Sequence, residues 1–264
     1  MSTRPVALYS SAEGSGPTLI LGHGFGGSAR NFRPQSRALR DRYRVVLHDA
    51  RGHARSDAPR DAAQYVPARF IADVGRLLDA AGAESAVVGG LSMGASIALQ
   101  FALAHPERVR ALVLASYPAS SAGGGFARSA RAFADCIDRD GLPAAGERFV
   151  WGADSGLDER GAALVRQGFL EHRPHALAHI LREFVATQSP VAALVPELCG
   201  LRLPVLVVAG ARDRASIAPS EELAAALPDA EFVRIPEAGH VVNLARPAEF
   251  NRRLDTFLTR ALGP

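Results

Sequence analysis

The stretch at positions 86–103, which reads AVVGGLSMGASIALQFAL, decides the fold. Its first part is a short β-branched run typical of a buried strand. Its last part is apolar on nearly every side, as a buried helix is. Ser92 therefore falls on a sharp turn from a strand to a helix. Such a turn strains a non-glycine residue and brings the two backbones close together, which explains the glycines two positions away, Gly90 and Gly94.

Strand and helix patterns alternate on both sides of this turn. Apolar strands separated by helices predict an α/β fold, with a mostly parallel central sheet covered by helices on both faces. We expect strands at 18–21, 43–48, 85–89, 110–115, 204–209 and 231–235. We expect helices at 29–41, 67–81, 94–104, 220–227 and 247–262.

The alternation stops between Tyr117 and Leu203. This stretch contains helical patterns but no convincing strand, and it opens with the glycine-rich run SSAGGG at 120–125. We therefore expect a helical cap inserted at 118–202, and a core domain made of residues 1–117 and 203–264. Cap helices are expected at 127–140, 144–150, 158–171, 174–188 and 190–198.

The composition excludes several other classes of protein. The chain has 264 residues, of which 48% are hydrophobic and 22% charged, as in ordinary globular proteins. No apolar run approaches the roughly 18 residues that a membrane helix needs, and the N-terminus lacks an apolar signal core. Two cysteines, Cys136 and Cys199, fit a reducing compartment. We expect a cytoplasmic protein with no membrane partner.

Four arginines form a stripe on one predicted helix, although the net charge is only +3. Arg33, Arg37, Arg40 and Arg44 lie at spacings typical of one helix face. The stripe has two interpretations: an anion or nucleic-acid patch, or the solvated side of an amphipathic helix. We favour the solvated side, because acidic residues balance the rest of the chain. Nucleic acid is therefore not expected as a partner.

Two residues that follow other predicted strands complete a nucleophilic set with Ser92. A serine nucleophile needs a base and a group that orients the base. His240 follows the last predicted strand, and Asp213 follows the strand at 204–209. Taken singly, they also fit a surface histidine and a helix-capping aspartate. Because catalytic groups of open α/β sheets collect at the carboxyl ends of strands, the order Ser92, Asp213, His240 predicts a catalytic triad.

The glycine-rich loop GHGFGG at 22–27 follows the first predicted strand. Small residues let the backbone approach a substrate, so the Phe25 amide can join the Met93 amide as a two-donor oxyanion hole. The alternative is a phosphate-binding loop. It is rejected because the spacing fits G-x-G-x-x-G poorly and the chain contains no lysine.

Five blocks resemble the α/β-hydrolase superfamily in the right order along nearly the whole chain. They are HGFG at 23–26, DARGHARSD at 49–57, GLSMG at 90–94, AGARD at 209–213 and AGH at 238–240. The tail at 239–251 is similar to the enol-lactonase and carboxylesterase-like branch. The chain departs from the family at Ala54, where glycine is usual. Some relatives carry the acid after the strand before the cap, but LASY at 114–117 offers none, which favours Asp213.

The resemblance implies an α/β-hydrolase fold with a helical cap and a serine mechanism. His240 would remove the Ser92 proton, and Asp213 would hold the imidazole. Ser92 would then attack a carbonyl whose oxygen is bound by the Phe25 and Met93 amides. An acyl-enzyme would form and be hydrolysed. No metal or organic cofactor is required by this chemistry. The block at 49–57 is interpreted as a structural turn beneath the site.

Side chains of the cap suggest further sites, each with a structural alternative. His172, His175 and His179 invite a metal-site interpretation, but no convincing ligand set accompanies them, so structural or surface roles are favoured. The aromatic residues of the cap are expected mainly to pack in a core, with Trp151 the best candidate for a substrate pocket. Other expected substrate contacts adjoin catalytic atoms: Phe25, Met93 and Val241.

The leading functional hypothesis is a serine hydrolase acting on a small, mostly apolar ester or lactone. Two alternatives keep the same scaffold, since fold alone does not fix chemistry. One is a carbon–carbon bond hydrolase or a cofactor-free perhydrolase using the same triad. The other is a small-molecule receptor with slow hydrolysis. The expected partner is a small-molecule substrate, and no pattern predicts an oligomeric state.

Overall fold

Seven strands form one sheet. A computed structural model describes residues 5–118, 124–151 and 159–263. Its strands are β1 (Ser10–Glu13), β2 (Thr18–Gly22), β3 (Arg44–His48), β4 (Ala86–Leu91), β5 (Val109–Ala115), β6 (Val205–Gly210) and β7 (Ala230–Ile235). Their order across the sheet is β1-β3-β2-β4-β5-β6-β7. In the described residues β1 alone runs antiparallel to its neighbour, β3, and the other pairs are parallel.

The six predicted strands are confirmed, and β1 is an addition. Every residue of β4 and β6 is buried, which is the pattern expected where helices cover both faces of a parallel sheet. All four residues of β1 are exposed, so this edge strand lacks the apolar signal on which the prediction of the others rested.

Ten α-helices accompany the sheet in the described part of the chain. They are α1 (Arg33–Leu39), α2 (Pro67–Ala80), α3 (Met93–Ala104), α4 (Gly125–Phe149), α5 (Glu159–Leu170), α6 (Pro174–Glu183), α7 (Val191–Gly200), α8 (Arg214–Ala226), α9 (Val242–Ala245) and α10 (Pro247–Leu262). Apolar residues of α1 and α10 pack in the cluster on one face, and those of α2, α3 and α8 in the cluster on the other. The predicted covering of both faces is thus confirmed.

Three predicted helices have different bounds in the structure. The helix predicted at 174–188 ends at Glu183 and is followed by a 3₁₀ turn at Val185–Thr187. The predicted helix at 29–41 is divided into a 3₁₀ turn at Ala29–Phe32 and the short helix α1, with Pro34 in the first turn of α1. The helix predicted at 220–227 begins earlier, because Asp213 is the N-cap of α8 and Pro219 lies inside the helix. A proline usually begins or breaks a helix, so the sequence suggested a later start.

The four helices α4–α7, called the inserted helices below, connect β5 to β6. No strand occurs in the described residues between those two strands. Gly141 has a φ of 79° and interrupts α4, which agrees with the two separate helices predicted there. The inserted helices share a hydrophobic cluster with the α2 and α3 face of the sheet; for example, the rings of Phe70 and Phe184 are 4.7 Å apart.

The described helices do not meet the requirements for a membrane span. None of them is both long enough and apolar enough to cross a bilayer.

Candidate active site

Ser92 lies on the sharp turn between β4 and α3. Its φ of 53° and ψ of −112° are in a region that non-glycine residues rarely adopt. The Ser92 N–H donates to the carbonyl oxygen of Ala115 on the neighbouring strand at 2.8 Å, which fixes the turn to the sheet. The half-buried serine side chain thus stands at the carboxyl end of the central strands.

Glycines on either side of Ser92 allow this turn. A Cβ atom at Gly94 would lie 2.2 Å from the carbonyl oxygen of Gly22, and one at Gly90 would lie 2.5 Å from the same oxygen. Both distances are shorter than atoms tolerate, so only glycine lets β2, β4 and α3 approach so closely. The close approach has a functional consequence: the loop after β2 is brought beside the serine.

His240 and Asp213 form a hydrogen-bonded pair after β7 and β6. The His240 Nδ1–H donates to Asp213 Oδ2 at 2.8 Å, and the carboxylate is almost fully buried. Burial by itself raises the pKa of Asp213, but hydrogen bonds and charge from His240, with help from Ser216, hold that pKa below its ordinary value. Asp213 is therefore an anion at neutral pH. Because Nδ1 carries the proton, Nε2 is left as the basic nitrogen.

Ser92, Asp213 and His240 line one cavity of about 610 Å³. Their hydrogen-bonding is incomplete: the described residues include no hydrogen bond between the Ser92 hydroxyl and the His240 imidazole. Such contacts in hydrolytic sites often tighten only when substrate binds. The structure thus brings the three side chains to one surface and pairs two of them.

The loop that carries Phe25 passes beside the serine. A Cβ at Gly24 would lie 3.5 Å from the Ser92 Cβ, so the backbone directly before Phe25 contacts the serine. The Gly26 N–H donates to His53 Nε2, and the Gly27 N–H donates to the Gly24 carbonyl. Met93 is the first residue of α3, where helix geometry leaves the amide without an intrahelical acceptor. The two amides predicted as oxyanion donors thus belong to a residue of this loop, Phe25, and to the residue that follows Ser92, Met93.

Buried histidines support this loop from beneath. The His23 Nδ1–H donates to the Gly24 carbonyl at 2.8 Å, and His23 Nε2 accepts the Ala50 N–H at 2.9 Å. Burial lowers the pKa of His23 to about 3 and that of His53 well below its ordinary value. Both rings are therefore neutral at physiological pH. A neutral ring can accept a backbone N–H, as both of these do, so the two histidines fix the path of the loop.

The charged block at 49–57 lies under the site and does not line the cavity. Asp49 is fully buried, and its carboxylate accepts the Ala29 N–H at 2.7 Å and hydrogen bonds from the Arg55 side chain. These contacts agree with the interpretation of the block as a structural turn.

The cavity wall includes some of the expected substrate contacts and several others. Phe25, Trp151 and Val241 line it, whereas Met93 is buried in the hydrophobic core and is not part of the wall. Several other lining residues were not predicted as substrate contacts. They are Arg30 of the 3₁₀ turn before α1, Arg33 and Arg37 of α1, Phe133 and Phe149 of α4, Val150 directly after α4, and Leu164 and Val165 of α5. Aromatic residues at helical spacing gave no signal to separate Phe133 and Phe149 from the buried Phe169 and Phe184.

The three histidines for which a metal site was considered point to different places. The Nε2 atoms of His172, His175 and His179 face the carbonyl oxygens of Gly27, Ala58 and Arg60 at 3.0, 3.1 and 3.1 Å. Among the described residues no group of three or more potential ligands converges on a metal position. These contacts attach α6 and the turn before it to loops of the sheet domain, the name used here for strands β1–β7 with helices α1–α3 and α8–α10. Such attachment agrees with a structural role.

Comparisons with known proteins were made for the chain as a whole. The sequence profile of the family described as "alpha/beta hydrolase fold" matches residues 17–150. A putative carbamate hydrolase from Variovorax paradoxus is 32% identical, with 94% of this chain and 94% of the relative covered. A putative 2-succinyl-6-hydroxy-2,4-cyclohexadiene-1-carboxylate synthase from Bacillus subtilis is 29% identical, covering 96% and 94% of the two chains.

Two solved structures extend the comparison to three dimensions. An esterase from Thermogutta terrifontis superposes with a TM-score of 0.86 at 25% identity, over 97% of this chain and 94% of that one. The enol-lactonase from Burkholderia xenovorans LB400 gives a TM-score of 0.84 at 27% identity, over 96% and 97%. The sheet, the turn at Ser92 and the profile match all indicate the same family. This chain therefore belongs to the α/β-hydrolase family and is a hydrolase.

Proposed function

We propose that this hydrolase cleaves a small, mostly apolar carboxylic ester or lactone through an acyl-enzyme on Ser92. The observation that carries the proposal is the His240–Asp213 pair, joined at 2.8 Å, on the same cavity wall as a serine held at a strained turn. A paired, ionised carboxylate fixes the imidazole tautomer that a serine mechanism requires.

The proposed reaction has two halves. His240 Nε2 takes the Ser92 proton as the oxygen attacks the carbonyl carbon, and the Phe25 and Met93 amides bind the developing oxyanion. The imidazolium then gives its proton to the leaving oxygen, the ester bond breaks and the acyl group stays on Ser92. In the second half, His240 takes a proton from water, which attacks the acyl carbon. The proton returns to Ser92 Oγ as the acid leaves.

The cavity supports the size and polarity of this substrate. Its volume of about 610 Å³ is in the range of small-molecule sites. Phe133, Phe149 and Trp151 contribute aromatic surface, and Val165 adds aliphatic surface. An acyl chain or ring of modest size would bury its apolar area against these residues.

We also propose that residues 118–202 act as a cap domain on a core of 1–117 and 203–264. Its described helices supply the aromatic wall of the cavity, and their contacts with the core include hydrogen bonds from three histidines. The part of this region at 119–123 and 152–158 lies outside the described residues.

A carbamate is the second candidate substrate on the same triad. Several relatives over most of this chain are putative carbamate hydrolases, including the one from Variovorax paradoxus. A carbamate presents a carbonyl to the serine as an ester does, so the same groups would act on it. Turnover of matched phenyl esters, phenyl carbamates and lactones by one preparation would rank the classes.

Labelling by a fluorophosphonate probe tests the nucleophile. We expect covalent labelling of the wild type and of Ser11→Ala, whose serine is exposed on β1, and none of Ser92→Ala. Persistence of the label in Ser92→Ala would contradict the proposal. Repeated turnover of short p-nitrophenyl esters is also expected, whereas a single turnover would favour a receptor over an enzyme.

A further inference from the structure

The wall of the cavity formed by α1 carries positive charge. Arg33 and Arg37 are one helical turn apart, so their side chains share a face of α1, and both line the cavity beside Pro34. We propose that the substrate carries an anionic group, a carboxylate or a phosphate, away from the scissile carbonyl, and that Arg33 and Arg37 bind this group. The inference rests on the proposed function, because it concerns the same cavity.

These two arginines differ from their neighbours in having no carboxylate partner among the described residues. Arg30 pairs with Glu171 at 2.8 Å, and Arg42 pairs with Asp255 at 2.7 Å. Arg40 lies 4.0 Å from Glu13, and Arg44 donates to a backbone carbonyl. The stripe predicted on one helix is therefore divided: Arg44 lies on β3 and Arg40 at the end of α1, each with a protein partner, whereas the exposed Arg33 and Arg37 line the cavity.

The other charges of the cavity wall do not neutralise this pair. Among the described lining residues the acidic one is Asp213, which is buried and hydrogen-bonded to His240. Arg30 also lines the cavity, with its charge balanced by Glu171. Two arginines without a carboxylate partner in the described part of the chain thus share the cavity wall with aromatic and aliphatic side chains. Such a wall suits an amphipathic anion, since guanidinium groups bind carboxylate and phosphate through paired hydrogen bonds.

A binding experiment that needs no turnover separates this inference from the proposed function. Trp151 lines the cavity and is the chain's one tryptophan, so its fluorescence reports ligand binding in the inactive variant Ser92→Ala. Monoethyl glutarate and ethyl pentanoate differ at one end, carboxylate against methyl. We expect the carboxylate ligand to bind about fivefold to tenfold more tightly, the effect that two exposed ion pairs produce. Added salt should weaken this preference.

Two variants show where the preference originates. Arg33→Gln combined with Arg37→Gln should abolish it, whereas Arg40→Gln, which removes a charge from the end of the same helix off the cavity, should keep it. Equal binding of the two esters by the arginine-containing protein would overturn the inference, and so would loss of the preference in Arg40→Gln.

Kinetics provide the second test. For mono-p-nitrophenyl glutarate, the double arginine variant should lower kcat/KM about fivefold to tenfold, with a change below about twofold for p-nitrophenyl pentanoate. Equal losses on both substrates would overturn the inference. If the wild type hydrolyses neither ester but the fluorescence preference is present, the proposed function fails and the inference stands.

Pentanoate and butyl phosphate, tested as inhibitors of the hydrolysis of p-nitrophenyl pentanoate, identify which anion the arginines prefer. Arginine-dependent inhibition by either compound supports the inference and names the group. Inhibition by neither compound contradicts it.

Discussion

The sheet domain and the inserted helices contribute to the cavity in different ways. In the sheet domain, each proposed catalytic group follows a strand: Ser92 after β4, Asp213 after β6 and His240 after β7. Backbone hydrogen bonds to Ala115 and Gly210 fix Ser92 and Asp213. The inserted helices instead contribute side chains such as Phe133 and Phe149, held by ring packing at 4.6 Å. We therefore expect changes in the sheet domain to affect the chemical step and changes in the inserted helices to affect substrate preference.

Apolar and polar contacts both attach the inserted helices to the sheet domain. The helices share a hydrophobic cluster with the α2 and α3 face of the sheet, and His172, His175 and His179 add hydrogen bonds to its loops. Gln188, just before α7, accepts hydrogen bonds from Ser96 and Gln100 of α3. Single polar contacts contribute about 1 kcal/mol each, so substitutions at the join should have smaller effects than those at the triad.

The largest effect is expected from Asp213→Asn. An amide at this position no longer supports the imidazolium and can favour the wrong tautomer, so kcat should fall about 10⁴-fold, as it does in the best-studied serine triad. Steady-state hydrolysis of a p-nitrophenyl ester measures it. Asp57→Asn, in the structural block outside the cavity, is the matched control. A loss below about tenfold in Asp213→Asn would mean that another group orients His240.

The buried histidines of the sheet domain should make its stability depend on pH. The pKa of His23 is lowered to about 3 in the folded chain, whereas in the unfolded chain it has its ordinary value near 6.5. Below pH 6.5 the unfolded state therefore binds a proton that the folded state does not, and the free energy of unfolding falls. Each pH unit between 6.5 and the folded pKa should cost about 1.4 kcal/mol from this residue.

Denaturant unfolding of His23→Gln against the wild type at pH 7.5 and pH 5.5 isolates this contribution. The wild type should lose more free energy of unfolding than the variant between the two pH values, because glutamine does not titrate. If both proteins lost the same free energy of unfolding, His23 would be protonated in the folded state, which would contradict a neutral, buried imidazole.

Substrate preference should change when the inserted helices are altered. Phe149→Ala removes aromatic surface from the cavity wall, so KM for a longer-chain ester should rise about threefold to tenfold with kcat little changed. Leu170→Ala, an exposed residue off the cavity, should leave both constants near their wild-type values. If Phe149→Ala lowered kcat and left KM unchanged, α4 would instead take part in the chemical step.

The smallest effect is expected at the join. His179→Ala removes the hydrogen bond to the Arg60 carbonyl, and the free energy of unfolding should fall by about 1 kcal/mol. The exposed His105 offers a control, His105→Ala, for loss of a surface imidazole. Thermal unfolding measures both variants. Equal melting temperatures for His179→Ala and the wild type would remove His179 from the attachment of the inserted helices.

Local patterns were enough to predict most of the sheet domain. A buried strand, followed by glycines two positions before and after Ser92, is a pattern specific to a sharp strand-to-helix turn. Asp213 and His240 were predicted from their positions after strands. The edge strand β1 escaped prediction because Ser10–Glu13 is exposed and polar. The prediction of Met93 as a substrate contact rested on adjacency to Ser92, but helix geometry turns its side chain into the core.

Which side chains of the inserted helices and of the arginine stripe line the cavity depends on tertiary contacts, so the sequence did not predict it. Phe133 lies on α4 and Phe184 directly follows α6, and both have apolar neighbours. Only Phe133 of the two lines the cavity, because the packing of α4 against the core decides which of its sides remains open. Arg33 and Arg40 likewise share a pattern in the sequence. Their different surroundings arise from which end of α1 meets the cavity.

Mass spectrometry of the wild-type protein, quenched in acid during turnover of p-nitrophenyl pentanoate, shows whether Ser92 carries the acyl group. We expect a mass increase of one pentanoyl group, mapped by digestion to the peptide that contains Ser92 and absent from Ser92→Ala. Rapid turnover with the acyl group on a different residue, or undiminished turnover by Ser92→Ala, would contradict the proposed acyl-enzyme on Ser92.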